Sequence, residues 1–140
     1  MATARSLRTL VQARAGGACE YCRLIEFASG VTFHVEHIVP RSQGGATSLA
    51  NLALCCPGCN LAKAERLEAP DRSGRLQPLF NPRNFEPASL GWHLHFLLER
   101  TSGLIGPRSV VGEATIDALS MNDPSRVYAR LLQIRAGLVS

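Results

Sequence analysis

From Ser6 to Ala15 the apolar residues Leu7, Leu10 and Val11 recur at i, i+3 and i+4 with arginine on the other side. Gly16-Gly17 follows, so the pattern predicts a short amphipathic helix. From Val31 to Val39 the run is β-branched and aromatic, with His34 and Glu36 alternating against Phe33, Val35 and His37; this predicts a strand that Pro40 ends. Ser42-Gln43-Gly44-Gly45 reads as a turn, Asn51 to Cys55 as a second short strand, and Asn60 to Glu68 as a helix with Pro57 suited to its entry. Four prolines between Ala69 and Ser89 predict an extended connection laid over the surface. Trp92 to Leu98 then reads as another strand, His93 and His95 on one side and Trp92, Leu94 and Phe96 on the other. A helix from Val111 to Met121 follows. The last helix is capped by Asp123, has Pro124 in its first position and runs to Gly137. The expected class is α+β.

Composition narrows the possibilities. The chain has 140 residues, one domain's worth, with 46% hydrophobic and 19% charged residues, enough for a core and too little charge for disorder. Polar residues interrupt every apolar stretch, so no membrane span is expected. Arg5, Arg8 and Arg14 leave the N-terminus without an apolar leader segment, and the expected location is cytoplasmic. The formal net charge is +4, carried by fourteen arginines and the single Lys63. Arginine suits phosphate recognition, although genomic composition bias gives the same excess.

Five cysteines, at 19, 22, 55, 56 and 59, are an odd count and argue against a disulfide framework. Cys19-Glu20-Tyr21-Cys22 and Cys56-Pro57-Gly58-Cys59 form two C-x2-C pairs, able together to close a tetrahedral thiolate shell around one Zn(II). Such a closed site is structural. A redox C-x-x-C is the alternative, disfavoured by the presence of two pairs and the lack of a βαβ unit. Cys55 is left as a small buried apolar residue on a strand. Zinc held by four thiolates would lower the chain's charge to about +2, which makes any DNA-facing charge local.

Between the cysteine pairs lie Phe33-His34-Val35-Glu36-His37-Ile38-Val39-Pro40, Gly44-Gly45, Asn51-Leu52, Asn60 and Lys63. This string resembles the HNH (ββα-metal) endonuclease family, closely over Cys19 to Lys63. Asn81-Pro82-Arg83, the Trp92 to Phe96 stretch and Gly112-Glu113-Ala114-Thr115 are similar to a bacterial stand-alone subgroup with a four-cysteine zinc site. The resemblance implies a single HNH domain over 1–140, with a core at about 19–66 and a C-terminal extension of strand and helices at about 67–140.

The resemblance also implies roles. His37 matches the general base, and a histidine titrates in the range that this task needs. Glu36 matches an acidic ligand of a catalytic divalent ion, Mg(II) or Mn(II), and Asn60 stands where a further ligand, often His, is found. Oxygen donors suit those hard ions. Asn51 matches the residue that orients the base. Lys63, three residues beyond Asn60, is expected on the same helix face near the scissile phosphate, and Arg41 is a candidate phosphate contact against a solvated loop charge. His34 shares a strand face with Glu36 and stands as a ligand, a DNA contact or a structural histidine. His93 and His95 lie outside the motif and read as strand histidines.

The resemblance implies metal-dependent hydrolysis of DNA phosphodiesters, with duplex DNA the expected substrate, giving a 5'-phosphate and a 3'-hydroxyl. The alternative is a zinc-stabilised DNA-binding module without turnover. An RNA-directed role is the weakest reading, since neither an aromatic RNP sheet nor a GXXG clamp occurs. Neither a DNA sequence preference nor an oligomeric state is legible.

Overall fold

The computed structural model describes residues 4–139. The first helix, α1, spans Ala4–Ala15, as its periodicity predicts. Its arginines grip the chain's own backbone: Arg8 Nη1 donates to Phe33 O at 2.9 Å, and Arg14 donates to Leu49 O at 2.8 Å and Leu52 O at 2.5 Å. A short α2 (Glu26–Ser29) follows the first cysteine pair. Strand β1 covers His34–His37 only, shorter than the β-branched run suggests, and pairs antiparallel with β2 (Leu52–Cys55) in the register His34 to Cys55 and His37 to Leu52. Asn51 closes a 3-10 turn (Leu49–Asn51) ahead of β2 instead of starting the strand.

Helix α3 spans Pro57–Lys63, earlier than the predicted Asn60 to Glu68. The Cys56 sulfur caps its start by accepting from Cys59 N at 3.4 Å. It stops because Ala64 takes φ 50° and ψ −127°, a positive-φ conformation outside the helical region that a non-glycine residue adopts at a cost. Arg66 Nη2 then donates to Ala62 O at 2.8 Å, satisfying one of the carbonyls left unpaired at the helix end.

The proline-rich stretch is not merely an extended surface connection. It contains a hairpin of β3 (Glu68–Pro70) and β4 (Leu76–Pro78), turned by Asp71, whose Oδ1 accepts from Ser73 N, Ser73 Oγ and Arg75 N. Leu79 and Phe80 beyond it are buried. The stretch read as a strand from Trp92 is mostly a helix, α4 (Ala88–His95), followed by β5 (Phe96–Leu98). The alternation of His93 and His95 mimics a period of two. Trp92 on the helix packs against Phe96, the first residue of β5, with ring centroids 5.0 Å apart, and both are buried. Strand β6 (Ile105–Pro107) pairs with β5, α5 spans Val110–Ala118 under a Ser109 cap, and α6 spans Pro124–Arg135 under the predicted Asp123 cap.

Among the described residues, helices and three two-stranded antiparallel sheets pack around a main aliphatic and aromatic core, with a smaller cluster of Ala18, Ile25, Ile134 and Val139 apart from it. An aromatic chain of Tyr21, Phe80, Phe96 and Trp92 crosses it, and Trp92 Nε1 returns a hydrogen bond to Tyr21 O at 2.8 Å. Thr115 Oγ1 accepts from Phe80 N at 2.9 Å, which ties α5 into the same chain. At Gly112 an added Cβ would lie 2.1 Å from His95 O, so only glycine lets α5 approach α4 this closely. Gly112→Ala should therefore lower the unfolding free energy by about 1–3 kcal/mol in denaturant titrations, through overpacking against a backbone carbonyl that cannot swing away.

Candidate metal centre and adjoining hairpin

The two cysteine pairs converge. The sulfurs of Cys19, Cys22, Cys56 and Cys59 all lie within 4.8 Å of one another, and Cys22 and Cys56 approach to 3.5 Å. A tetrahedral zinc with bonds of ~2.3 Å needs sulfurs roughly 3.8 Å apart, so this donor set fits structural Zn(II). Backbone amides already point at sulfur, Cys22 N at Cys19 and Cys59 N at Cys56. Burial pushes the Cys19 thiol well above its ordinary value, while hydrogen bonds from Cys19, Cys22 and Cys59 hold Cys56 well below it. Cys55 is fully buried on β2, as expected.

A cation from the far end of the chain meets this cluster. Arg126 on α6 donates from Nη1 to Cys59 Sγ at 3.0 Å, and its other terminal nitrogen reaches Leu119 O and Ser120 O. Arg130, one turn on and fully buried, donates to Cys22 O at 3.3 Å and Gly103 O at 2.6 Å. The net charge of zinc with four thiolates is minus two, and α6 supplies the neighbouring positive charge. Nothing in the sequence pattern of α6 signals this.

Glu20, the second residue of the first C-x2-C, is also structural. Its amide donates to Leu54 O at 2.9 Å, its carboxylate accepts from Leu54 N at 2.8 Å, and Arg83 pairs with its other oxygen. The Asn81-Pro82-Arg83 element therefore clamps the first cysteine pair to β2.

On β1, successive side chains alternate between faces. Glu36 turns inward, 7% exposed, and Lys63 Nζ lies 2.7 Å from its Oε1 as an ionic contact not aligned as a hydrogen bond. The ammonium donates instead to Ile38 O at 3.0 Å. Glu36 Oε2 and the Tyr21 hydroxyl are buried without hydrogen-bond partners. Burial raises the pKa of Glu36 against the opposing pull of Lys63, and burial together with the Glu36 charge raises that of Tyr21. Unit charges about 4 Å apart interact by ~4 kcal/mol at an effective dielectric of 20, so Lys63 is the dominant local partner of this carboxylate. Lys63 is thus not on the surface that its expected contact with a scissile phosphate requires; it reaches inward from the last turn of α3. Asn60, half-buried, stands one turn before it.

His37 takes the other face of β1, half-buried, with Nε2 2.8 Å from Thr47 Oγ1. Asn51 acts at one remove from it. Its Oδ1 accepts from Val39 N at 2.9 Å, and its Nδ2 donates to Val39 O at 3.0 Å and Ala46 O at 2.9 Å. Asn51 thereby staples shut the loop that carries Thr47, and Thr47, not Asn51, touches the imidazole. Gly44 adopts φ 88°, and a Cβ on Gly45 would lie 1.7 Å from Val39 O and 2.9 Å from Asn51 Nδ2, so the paired glycines are demanded by the staple. Thr47 and Tyr21 went unread in the sequence because neither belongs to a spaced pattern.

His34 and Arg41 are exposed, His34 at the start of β1 and Arg41 at the start of a 3-10 turn (Arg41–Gln43). His95 lies on α4 with Nδ1 2.7 Å from Ser109 Oγ, and burial lowers its pKa; His93 stacks edge-on to Trp92. Among the described residues no helix is long and apolar enough to cross a membrane.

Residues 19–66, which hold the two cysteine pairs, the β1–β2 hairpin and α3, match the family model described as HNH endonuclease, so this segment is similar to that family. No curated protein and no solved structure matches the chain.

Two substitutions test this geometry. Arg126→Met should leave the fold in place but speed zinc loss to a chelator several-fold, read with a colorimetric zinc indicator, because the thiolates lose their adjacent cation. Gly45→Ala should cost about 1–3 kcal/mol by forcing the loop off Asn51, and the imidazole signals of His37 in NMR spectra should broaden or shift as Thr47 moves.

Proposed function

We propose that the HNH segment makes this protein a metal-dependent endonuclease acting on DNA phosphodiesters, with His37 as general base. The observation that carries the reading is a solvent-reachable imidazole, held by Thr47, beside Glu36 on a strand of an HNH-matching segment. Residues 1–140 act as one unit in this reading, with 19–66 as its core. His37 accepts a proton from the attacking water. The water oxygen bonds to phosphorus as the P–O3' bond breaks, leaving a 5'-phosphate, and the departing O3' takes up a proton.

A Mg(II) or Mn(II) ion would be held by Glu36 and Asn60, with His34 as a further candidate, and would supply positive charge to the phosphoryl and leaving oxygens. The buried, unpartnered Oε2 of Glu36 fits a hard cation. Asn51 and the glycine pair position the base through Thr47. Arg41, exposed on the loop after β1, is the proposed backbone contact. Contacts of this kind hold duplex DNA with little sequence information. Lys63 does not share that task while it is paired with Glu36.

That ionic pair is also the observation that favours the other reading, a zinc-stabilised DNA-binding module, because it engages the acidic side chain that catalysis needs. Nicking of supercoiled plasmid with Mg(II) or Mn(II) separates the two. Wild type should nick, and His37→Ala, with its zinc content intact, should lose roughly 100-fold or more, the scale of a missing general base. Equal inactivity of both proteins, with retained DNA binding, would establish the binding module.

A further inference from the structure

We infer that the Lys63 ammonium and a divalent cation compete for the Glu36 carboxylate, so that Lys63 sets the metal concentration at which the site fills. The inference rests on the metal-dependent reading above.

Lys63 Nζ lies 2.7 Å from Glu36 Oε1 and donates to Ile38 O, with the two side chains 2% and 7% exposed. The ammonium therefore stands in a cation position, on a carboxylate that water hardly reaches. The site holds a single carboxylate, whose counter-charge is Lys63, because Glu20, the other acidic group acting on Glu36, is itself paired with Arg83. One negative charge in a desolvated setting does not neutralise an ammonium and a divalent ion at once, so the two exclude one another. Neither Glu36 oxygen makes an aligned hydrogen bond, and the Tyr21 hydroxyl is the one other polar side chain acting on the group at close range, so an incoming ion competes with Lys63 and that hydroxyl alone.

The ammonium has somewhere to go. Lys63 borders a cleft of about 150 Å³ lined mostly by apolar side chains, with Arg66, Asn81 and Asn84 at its polar part; Asn81 Oδ1 already accepts from Arg83 N, which leaves Asn84 as the side-chain acceptor the ammonium could turn to. Its position in the last turn of α3 keeps a positive charge favourable at that helix end whichever way the side chain turns.

Lys63 is the only lysine in the chain, so one amine besides the N-terminus reports on the exchange. The zinc-loaded protein is treated with an amine-acylating reagent across a Mn(II) titration, and modification of the Lys63 peptide is measured by mass spectrometry. Mn(II) affinity is measured separately by electron paramagnetic resonance.

Acylation of Lys63 should be slow without Mn(II) and rise as Mn(II) binds, with the same midpoint, and Glu36→Gln should speed it without metal. Lys63→Met should bind Mn(II) about 10-fold or more tightly than wild type, within the range of coupling between adjacent sites. Lys63 labelling that stays constant while Mn(II) saturates the protein would overturn the competition. So would unchanged affinity in a folded Lys63→Met protein, or no Mn(II) binding at all. If Lys63→Met fails to fold, the wild-type labelling titration decides alone. Because no DNA is present, competition can hold even where plasmid nicking fails, and the two readings fall separately.

Discussion

Sulfur convergence is the constraint on which everything else rests. Four buried cysteines from two segments more than thirty residues apart in sequence bring their sulfurs within 4.8 Å of one another, the first segment followed by α2 and then β1, the second running directly into α3. The first pair is bolted to β2 through Glu20, and the second caps α3 with a sulfur. Filling such a site with zinc contributes to folding directly, since the unfolded chain has no preformed site to offer the ion. The hairpin then needs little of its own stability, which suits two strands of four residues each.

From this frame β1 presents two unlike side chains in opposite directions. The imidazole of His37 faces a loop that Asn51 and a glycine pair hold in shape. The carboxylate of Glu36 faces an interior occupied by Lys63 and the Tyr21 hydroxyl. A buried ion pair of this kind is weak evidence for stability, because desolvation offsets much of the attraction.

Legibility followed spacing. The cysteine pairs, the Glu36-His37 doublet, Asn51, the glycines and the capped last helix all stand in short-range patterns, and the structure has the corresponding cluster, hairpin and cap. What was hidden depends on long-range partners. Trp92 and Phe96 look like alternate strand positions until Trp92 is seen on α4, packed against Phe96 at the start of β5, and the length of α3 is set by the positive φ of Ala64, which no propensity foretells. Arginine was the most misleading signal. Arg8, Arg14, Arg66, Arg83, Arg126 and Arg130 bind carbonyls, a carboxylate or a thiolate within the molecule, so their abundance says less about phosphate than composition suggests.

The reach of Arg126 across to Cys59 bears on how such a chain could be divided. The segment recognisable as HNH ends at residue 66, yet the guanidinium beside its sulfur cluster arrives from a helix that begins at Pro124. Cut back to the recognisable part, the protein would keep every ligand and still strip a doubly anionic centre of its counter-ion and of the buried Arg130 beside it. Evolution can therefore move this unit between proteins intact only if the distal helix travels with it, or if the new host brings a cation to the same sulfur.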